Sequence, residues 1–479
     1  MQPAYLLQWL DHVPDLLALS RAHPEHFPYL LESAARGPLG RHSLLLFAAG
    51  EVLLREAGGA LEGPGEDPGE GLGENDSFFE RLRRWYAMEA LPNATAADGD
   101  APPFAGGWFI YLGYEMAAEV EPILELPRND TGLPDAVAHR CPAAIIIYHG
   151  NERSDPDRAA VVAESSAALA QVLKRIGARS EHGAASAGAA ASPADPGLAD
   201  ITEEDPGRFE ASVRRIHEYL RAGDVFQVNI SRLWTGRFRS PPDPWSLYGS
   251  LRRANPAPFA GLMRWGRQFL LSSSPERLVH TRDGTVQTRP IAGTRPRGTD
   301  RAQDQALSEE LIGNLKERAE HVMLIDLERN DLGRVCQPGT VTVDELMVVE
   351  TYAHVHHIVS NVRGELADGA GPVEAMKAVF PGGTITGCPK VRCMQIIAEL
   401  EGAGRGFYTG SMGYLGRDGS MDLNILIRSM LVDGPHFSFR TGAGIVADSE
   451  AEKEVMETAD KARGMLLAIE SHGKESAYA

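Results

Sequence analysis

Glu317 and Glu320 stand three apart in KERAEH, and Glu454 and Glu457 stand three apart in EKEVMET. Residues three apart on a helix are neighbours, so each pair would present two carboxylates on one face. A single Glu-x-x-Glu is ordinarily a solvated helix face. Two pairs, with basic and glycine-rich segments near them, suggest more. Four carboxylates facing one another suit Mg²⁺, a hard cation that takes oxygen ligands, keeps some waters and lets an anionic substrate complete its shell. The chemistry indicated is that of an enzyme acting on a small, multiply charged acid. Lys461, one turn beyond Glu457, can pair with it or with substrate.

Other segments could serve such a site. RPIAGTRPRG (Arg289 to Gly298) reads as a tight loop whose guanidinium forks and glycine-exposed N–H groups suit a carboxylate; a solvated basic turn is the plain alternative, above all for Arg297. PGGTITGCPK (Pro381 to Lys390) runs into a helix with Pro389 near its first turn, so either an anion site or a structural turn is expected. It lacks the spacing of a Walker A loop. TGAGIV (Thr441 to Val446) reads as strand, glycine turn, strand, and the turn would let a ligand approach the backbone. Arg428 lies in an apolar run, NILIR. His354, His356 and His357 match no zinc spacing; hydrogen-bonded core histidine is the default, with one as a proton handler in a cleft. Glu276 in SSSPERL follows a strand, either as an exposed loop carboxylate or as a general acid with raised pKa.

Composition bounds the class. The chain has 479 residues, 47 Lys+Arg and 66 Asp+Glu, for a net charge of −19. That argues against a nucleic-acid partner and requires a local positive site for any anionic substrate. Four cysteines without a CxxC fit a reduced, cytoplasmic setting with no disulfide framework. The first residues, MQPAYLLQWLDHVPDLL, read as neither signal peptide nor membrane span.

The elements that must position these residues are legible in outline. Ser43 to Leu54 (SLLLFAAGEVLL) reads as strand, and FAGGWFIYLGYEM (Phe104 to Met116) as strand-rich. The Ala/Ser/Gly/Pro stretch at 179–200 reads as a linker between an N-terminal region, 1–178, and a catalytic region, 201–468. PGRFEASVRRIHEYLRAGD reads as helix, with Phe209, Val213, Ile216 and Leu220 at helical spacing and Gly223 at its end. SEELIGNLKERAEHVMLIDLE and PKVRCMQIIAELE read as further helices. Clustered strands favour a large α+β enzyme over a doubly wound sheet.

The motifs GDVFQVNIS, SSPERL, PIAGTRPRG, KERAEHVMLIDLERNDLGR, PGGTITGCPKVRCMQIIAELE, YTGSMGYLGRDGSMDLNILIR and GAGIVADSEAEKEVMET resemble, in order, those of the chorismate-utilising enzymes. The resemblance covers roughly residues 200–465, and more loosely the N-terminal third through LLES and FAGGWFIYLGYE. It implies an α+β sandwich of antiparallel sheets flanked by helices, with substrate and Mg²⁺ between them. It implies Glu320 and Glu457 as direct Mg²⁺ ligands, with Glu317 and Glu454 behind them or bound through water. Tyr408, Arg428, Gly442-Ala443-Gly444, Gly293-Thr294 and Lys461 would bind substrate. Glu276 would protonate the departing C4 hydroxyl, and His357 would assist proton handling.

Members that add water carry a lysine base where this chain has Gln227; glutamine cannot act as a base, so the resemblance implies use of ammonia. Ammonia would come from a separate glutamine amidotransferase, for which no Cys-His-Glu segment is legible here. GGWFIYLGYE, FQVNIS, NPAPFAGLM, LSSSPERL and YTGSMGYL are similar to the aminodeoxychorismate synthase branch, which serves p-aminobenzoate and folate. Ala292 is similar instead to anthranilate synthases, because many aminodeoxychorismate synthases carry a nucleophilic lysine there. Ser33, Pro258 and Phe259 would form either a tryptophan pocket or ordinary core.

Overall fold

In a computed structural model, the structure describes residues 5–35, 37, 39–65, 77–91, 101–150, 155–183, 196–351 and 355–472. Two large sheets, every pairing in them antiparallel, lie face to face. The first runs in the order Leu6–Trp9, Arg158–Ala163, Ala143–Tyr148, His42–Phe47, Tyr29–Glu32, Phe259–Trp265, Gln268–Ser274, Ser429–Asp433, His436–Ile445, Gln227–Phe238, Leu198–Glu203, with Gly387–Cys388 beside the start of Gln227–Phe238. The second runs Ile291–Pro296, Val355–Glu365, Thr285–Thr288, Arg277–Arg282, Met421–Asn424, Ser411–Gly416, Gly107–Leu112, Ala136–Cys141, Val52–Arg55, Leu61–Glu62, with Thr342–Thr351 on Val355–Glu365.

Strand periodicity builds the layers. Side chains alternate faces along a strand. In His42–Phe47, Leu44 and Leu46 enter the core between the sheets, while Leu45 and Phe47 enter the core beneath the helices. A strand covered on both faces reads as a continuous apolar run. The inter-sheet core joins Leu44 and Tyr29 to Phe109, Tyr111 and Met412; the Tyr29 and Phe109 rings stack at 3.7 Å. Outside the first sheet pack helices Leu16–Ala22, Ser166–Gly183, Pro244–Ala254 and Ala451–Ser471. Outside the second pack Phe78–Glu89, Leu315–Gly333 and Pro372–Val379. The α+β sandwich expected from the sequence is the architecture observed.

Several local readings change. Ser43 to Leu54 is not one strand: a turn around Gly50 sends His42–Phe47 and Val52–Arg55 into different sheets. The RPIAGTRPRG segment is not a loop but edge strand Ile291–Pro296, with its register shifted at Gly293 (φ 67°). Gly442-Ala443-Gly444 is not a turn; it lies inside strand His436–Ile445, opposite Ser231, Ile230 and Asn229. SEELIGNLKERAEHVMLIDLE is two helices, Arg301–Gly313 and Leu315–Gly333, separated at Asn314, whose side chain caps Lys316 and Glu317 N–H at 3.0 and 3.2 Å. Residues 179–183 continue a helix and 198–200 begin a strand, while 184–195 lie outside the described residues. Strands from both sides of that stretch share both sheets. Helix Pro206–Ala222 ends at Gly223 (φ 80°), as its pattern predicts.

Candidate active site

The two Glu-x-x-Glu pairs lie on helices Leu315–Gly333 and Ala451–Ser471, which approach from opposite sheets. The first helix is seated by Leu324, Ile325, Leu327 and Leu332 and by a 2.7 Å hydrogen bond between His321 and Ser360. The second is seated by Ala462, Met465 and Ala468 and by Thr441 Oγ1 donating to the Thr458 carbonyl at 2.7 Å. The acids face one another. Burial first, then the charges of Glu317, Glu454 and Glu457, push the Glu320 carboxyl above its usual range, with Lys316 opposing. Burial and Glu457 likewise raise Glu454, against Ser449, Lys461 and Lys316.

Each pair also meets a cation. Lys461 Nζ is 2.7 Å from Glu457 and donates to the Gly442 carbonyl at 2.9 Å, and Arg295 is 2.7 Å from Glu317 Oε1. The other Glu317 oxygen, Oε2, is buried without a hydrogen-bond partner among the described residues. A Cβ at Gly293 would lie 1.9 Å from it, so only glycine leaves that carboxylate its place. Among the described residues no three His, Cys, Asp or Glu side chains form a closed metal cage. An all-oxygen donor set, mutually repelling and partly unpartnered, fits a Mg²⁺ that keeps waters and needs substrate to complete its shell.

Glycine positions shape the floor. Strand Gln227–Phe238 pairs with His436–Ile445, so Gln227 and Asn229 share one face. A Cβ on Gly444 would stand 2.2 Å from Gln227 Nε2, and one on Gly442 would stand 2.7 Å from Tyr408 Oη and 3.0 Å from Asn229 Oδ1. Gln227 Oε1 and Asn229 Oδ1 are buried without hydrogen-bond partners among the described residues. Asn229 was not singled out from the sequence, although its period-two relation to Gln227 points to it.

Glu276 sits where the first sheet gives way to the second. Its N–H donates to Ser274 Oγ at 3.2 Å and its carbonyl accepts from Ile425 N–H at 3.0 Å. Burial pushes its carboxyl up to about 7, opposed by the Thr384 hydroxyl, Arg428 and Lys461. Arg428 occupies the crossover between Met421–Asn424 and Ser429–Asp433 with φ 51°, a strained conformation for a non-glycine residue. Its guanidinium makes no ion pair or hydrogen bond among the described residues. Burial lowers its pKa, with Glu276 opposing. His357, opposite Thr294 in the Ile291–Pro296 pairing, is held down to about 4 by burial and by Arg428, so it is neutral near pH 7.

Other candidates are committed elsewhere. Arg289 pairs with Glu350 at 2.5 Å and Arg297 with Asp304 at 2.7 Å, so neither fork is presented to a ligand. His356 is spent on Asp304 and Thr351, both at 2.9 Å, and His354 lies outside the described residues. Lys390 is buried on Asp331 (2.6 Å) and on the carbonyls of Val379 and Pro381, which makes the PGGTITGCPK helix start a structural staple. Ser33, Pro258 and Phe259 converge at a cavity whose lining includes none of the four acids. Ser33 Oγ donates to the Pro258 carbonyl at 3.1 Å, beside this cavity of about 70 Å³, lined also by Leu31, Leu44, Met412 and Tyr414. Among the described residues no helix is long and apolar enough to cross a membrane.

A family profile described as "chorismate binding enzyme" matches residues 65–467. The chain is 43% identical over 393 residues to anthranilate synthase component 1 of Streptomyces coelicolor, spanning 79% of this chain and 76% of that protein. It is 40% identical over 393 residues to aminodeoxychorismate synthase component 1 of Bacillus subtilis, spanning 80% and 81%. Relatives from Cereibacter sphaeroides and Thermus thermophilus also carry the anthranilate synthase name. The crystal structure of anthranilate synthase component I from Streptococcus pneumoniae matches with a TM-score of 0.74 at 30% identity, covering 90% of this chain and 93% of that one.

Proposed function

Because the chain belongs to the chorismate-binding enzyme family, we propose that it aminates chorismate with ammonia to give 4-amino-4-deoxychorismate, the precursor of p-aminobenzoate and folate. The observation that carries amination over hydration is Gln227. An amide stands, with its Oε1 unpartnered, where activation of water calls for a base. Ammonia brings its own lone pair and needs none. Arg428, Lys461 and the N–H groups beside Gly293 take the substrate carboxylates, and Tyr408 and Gly442–Gly444 bound the ring.

Glu276, still protonated near neutrality, gives its proton to the C4 hydroxyl, which leaves as water. Ammonia's nitrogen forms the new C–N bond, and the proton it sheds returns to the Glu276 carboxylate. Neutral His357 offers a second proton acceptor beside the ring. Glu320 and Glu457, with Glu317 and Glu454 through water, would hold a Mg²⁺ whose charge offsets a ring carboxylate. A glutamine amidotransferase subunit is the proposed ammonia donor.

A second reading, anthranilate formation, is favoured by Ala292, which offers no nucleophile, and by the names of several relatives. Product analysis with chorismate, Mg²⁺ and ammonium, with and without aminodeoxychorismate lyase, separates the two. Lyase-dependent p-aminobenzoate supports C4 amination. Lyase-independent anthranilate replaces it with the second reading.

A further inference from the structure

Behind the floor of the site lies a buried guanidinium that the proposed reaction does not use. Arg405 is 2% exposed. Five hydrogen bonds leave its side chain, as many as a guanidinium has N–H groups. Two grip Glu401, the last residue of helix Lys390–Glu401, at 2.7 and 3.0 Å. One reaches the Asn229 carbonyl in strand Gln227–Phe238 at 2.8 Å, and one reaches the Ile385 carbonyl of the turn Gly383–Ile385 at 3.3 Å. The fifth reaches Thr409 Oγ1 at 3.3 Å, and that hydroxyl donates in turn to the Tyr408 carbonyl at 2.5 Å. The guanidinium also lies over the Tyr408 ring, 5.5 Å from its centroid. One cation thus ties together the strand that carries Asn229, the turn that carries Thr384 and the segment that carries Tyr408. Tyr408 Oη and Asn229 Oδ1 converge over Gly442, where a Cβ would stand 2.7 and 3.0 Å from them.

We propose that Arg405 is a positioning residue that acts through Tyr408, holding its hydroxyl against the bound substrate. The inference rests on the assignment of Tyr408 to the substrate ring. Burying the cation is tolerable because Glu401 is buried with it. Glu401 Oε1 also accepts from Ser231 N–H and Oγ, both at 2.8 Å, so the pair is anchored to the strand beneath the site. Lysine carries the same charge but only three donors, on a flexible stem. It can keep Glu401, yet at least two of the five bonds are lost. A small misplacement of a group against the reacting ring costs rate even where the fold survives.

The test is a double-mutant cycle in chorismate consumption, with Arg405→Lys, Tyr408→Phe and the double variant. Arg405→Lys should lower kcat/KM about tenfold when residue 408 is tyrosine, and by no more than about twofold when it is phenylalanine. A merely structural role costs the same factor in both backgrounds, because loss of folded enzyme is indifferent to the Tyr408 hydroxyl. Equal losses, or no loss in either background, overturn the proposal. If Arg405→Lys does not fold, Thr409→Ala takes its place in the cycle. Alanine removes the hydroxyl between the guanidinium and the Tyr408 carbonyl and leaves the Arg405–Glu401 pair intact. A loss of about threefold confined to the tyrosine background is then expected, and equal losses again overturn the proposal. If the wild type consumes no chorismate, the same cycle is read in chorismate affinity, from the rise in Tm with chorismate concentration. A wild type that neither consumes nor binds chorismate overturns the proposed function and this inference with it, whereas equal losses in an active enzyme count only against Arg405.

Discussion

The acid-lined site and the Ser33–Phe259 cavity both join residues far apart in sequence, yet they treat polar groups in opposite ways. Around the cavity the groups satisfy one another. Ser33 donates to Pro258, Arg252 pairs with Glu32 at 2.7 Å, Asn424 donates to the Phe259 carbonyl at 3.1 Å, and Arg277 grips Asp422 with two 2.8 Å bonds. At the site, Gln227 Oε1, Asn229 Oδ1 and Glu317 Oε2 are buried without hydrogen-bond partners among the described residues. A buried polar group left unpaired costs about 1–3 kcal/mol. A fold carries several such costs together where a ligand is to supply the missing partners. The polar groups around the cavity are paired, and those at the site are left for the substrate proposed above.

The sharpest way to break that contrast is at Glu276. Glu276→Gln keeps the shape and removes the proton, so turnover should fall about 10²- to 10⁴-fold while chorismate still binds. In the wild type, at constant free ammonia, kcat should decline as pH rises through about 7, because the acid is then lost. Stability should fall with rising pH as well. A carboxyl group at about 7 when folded and near 4.5 when unfolded binds more protons in the folded state across that window. Its contribution therefore falls as pH rises, and above the window Glu276→Gln should be the more stable chain by on the order of 3 kcal/mol. Denaturant melts at two pH values check this; equal stability at both would contradict the buried, neutral acid.

Arg428 comes next. Arg428→Met keeps much of the apolar stem and removes the charge, so KM for chorismate should rise by about tenfold or more while the fold survives. An unchanged KM would mean that the unpaired guanidinium serves the backbone at the crossover and not the ligand. Gly444→Ala should cost less, about tenfold in kcat/KM. The added methyl displaces only the flexible end of Gln227, which spoils the floor without unfolding the strand.

The sequence disclosed more of the chemistry than of its setting. Glu317, Glu320, Glu454 and Glu457 were legible because helical spacing is local, and the seating helices carry ordinary apolar faces. That the pairs meet was only an expectation, since it depends on two helices approaching from opposite sheets. Gly442-Ala443-Gly444 misled because glycine signals turns; here it clears space inside a strand for side chains from a neighbouring strand and from Tyr408. Arg289, Arg297 and Lys390 take the structural alternatives that the sequence left open, for a related reason. Composition counts charges, but the three-dimensional fold decides which are already paired. Arg405 sits among glycines in GAGRGF like any loop arginine, and only packing shows it to be buried.

The smallest effect is expected around the cavity. Ser33→Ala removes the bond to Pro258 and the hydroxyl beside the cavity, while leaving the Arg252–Glu32 and Arg277–Asp422 pairs intact. A net loss of about 1 kcal/mol follows from one hydrogen bond, which for a chain of this size lowers Tm by a few degrees at most. Activity should be unchanged, because the hydrogen bond lost runs from Ser33 to Pro258 and not to Glu276 or the four acids. Adding tryptophan sharpens the comparison. If the cavity receives an amino acid, wild-type Tm should rise with tryptophan concentration and Ser33→Ala should blunt the rise. If tryptophan leaves both melts alone, the polar groups there serve only one another, and the contrast with the unpaired groups of the acid site holds in its strictest form.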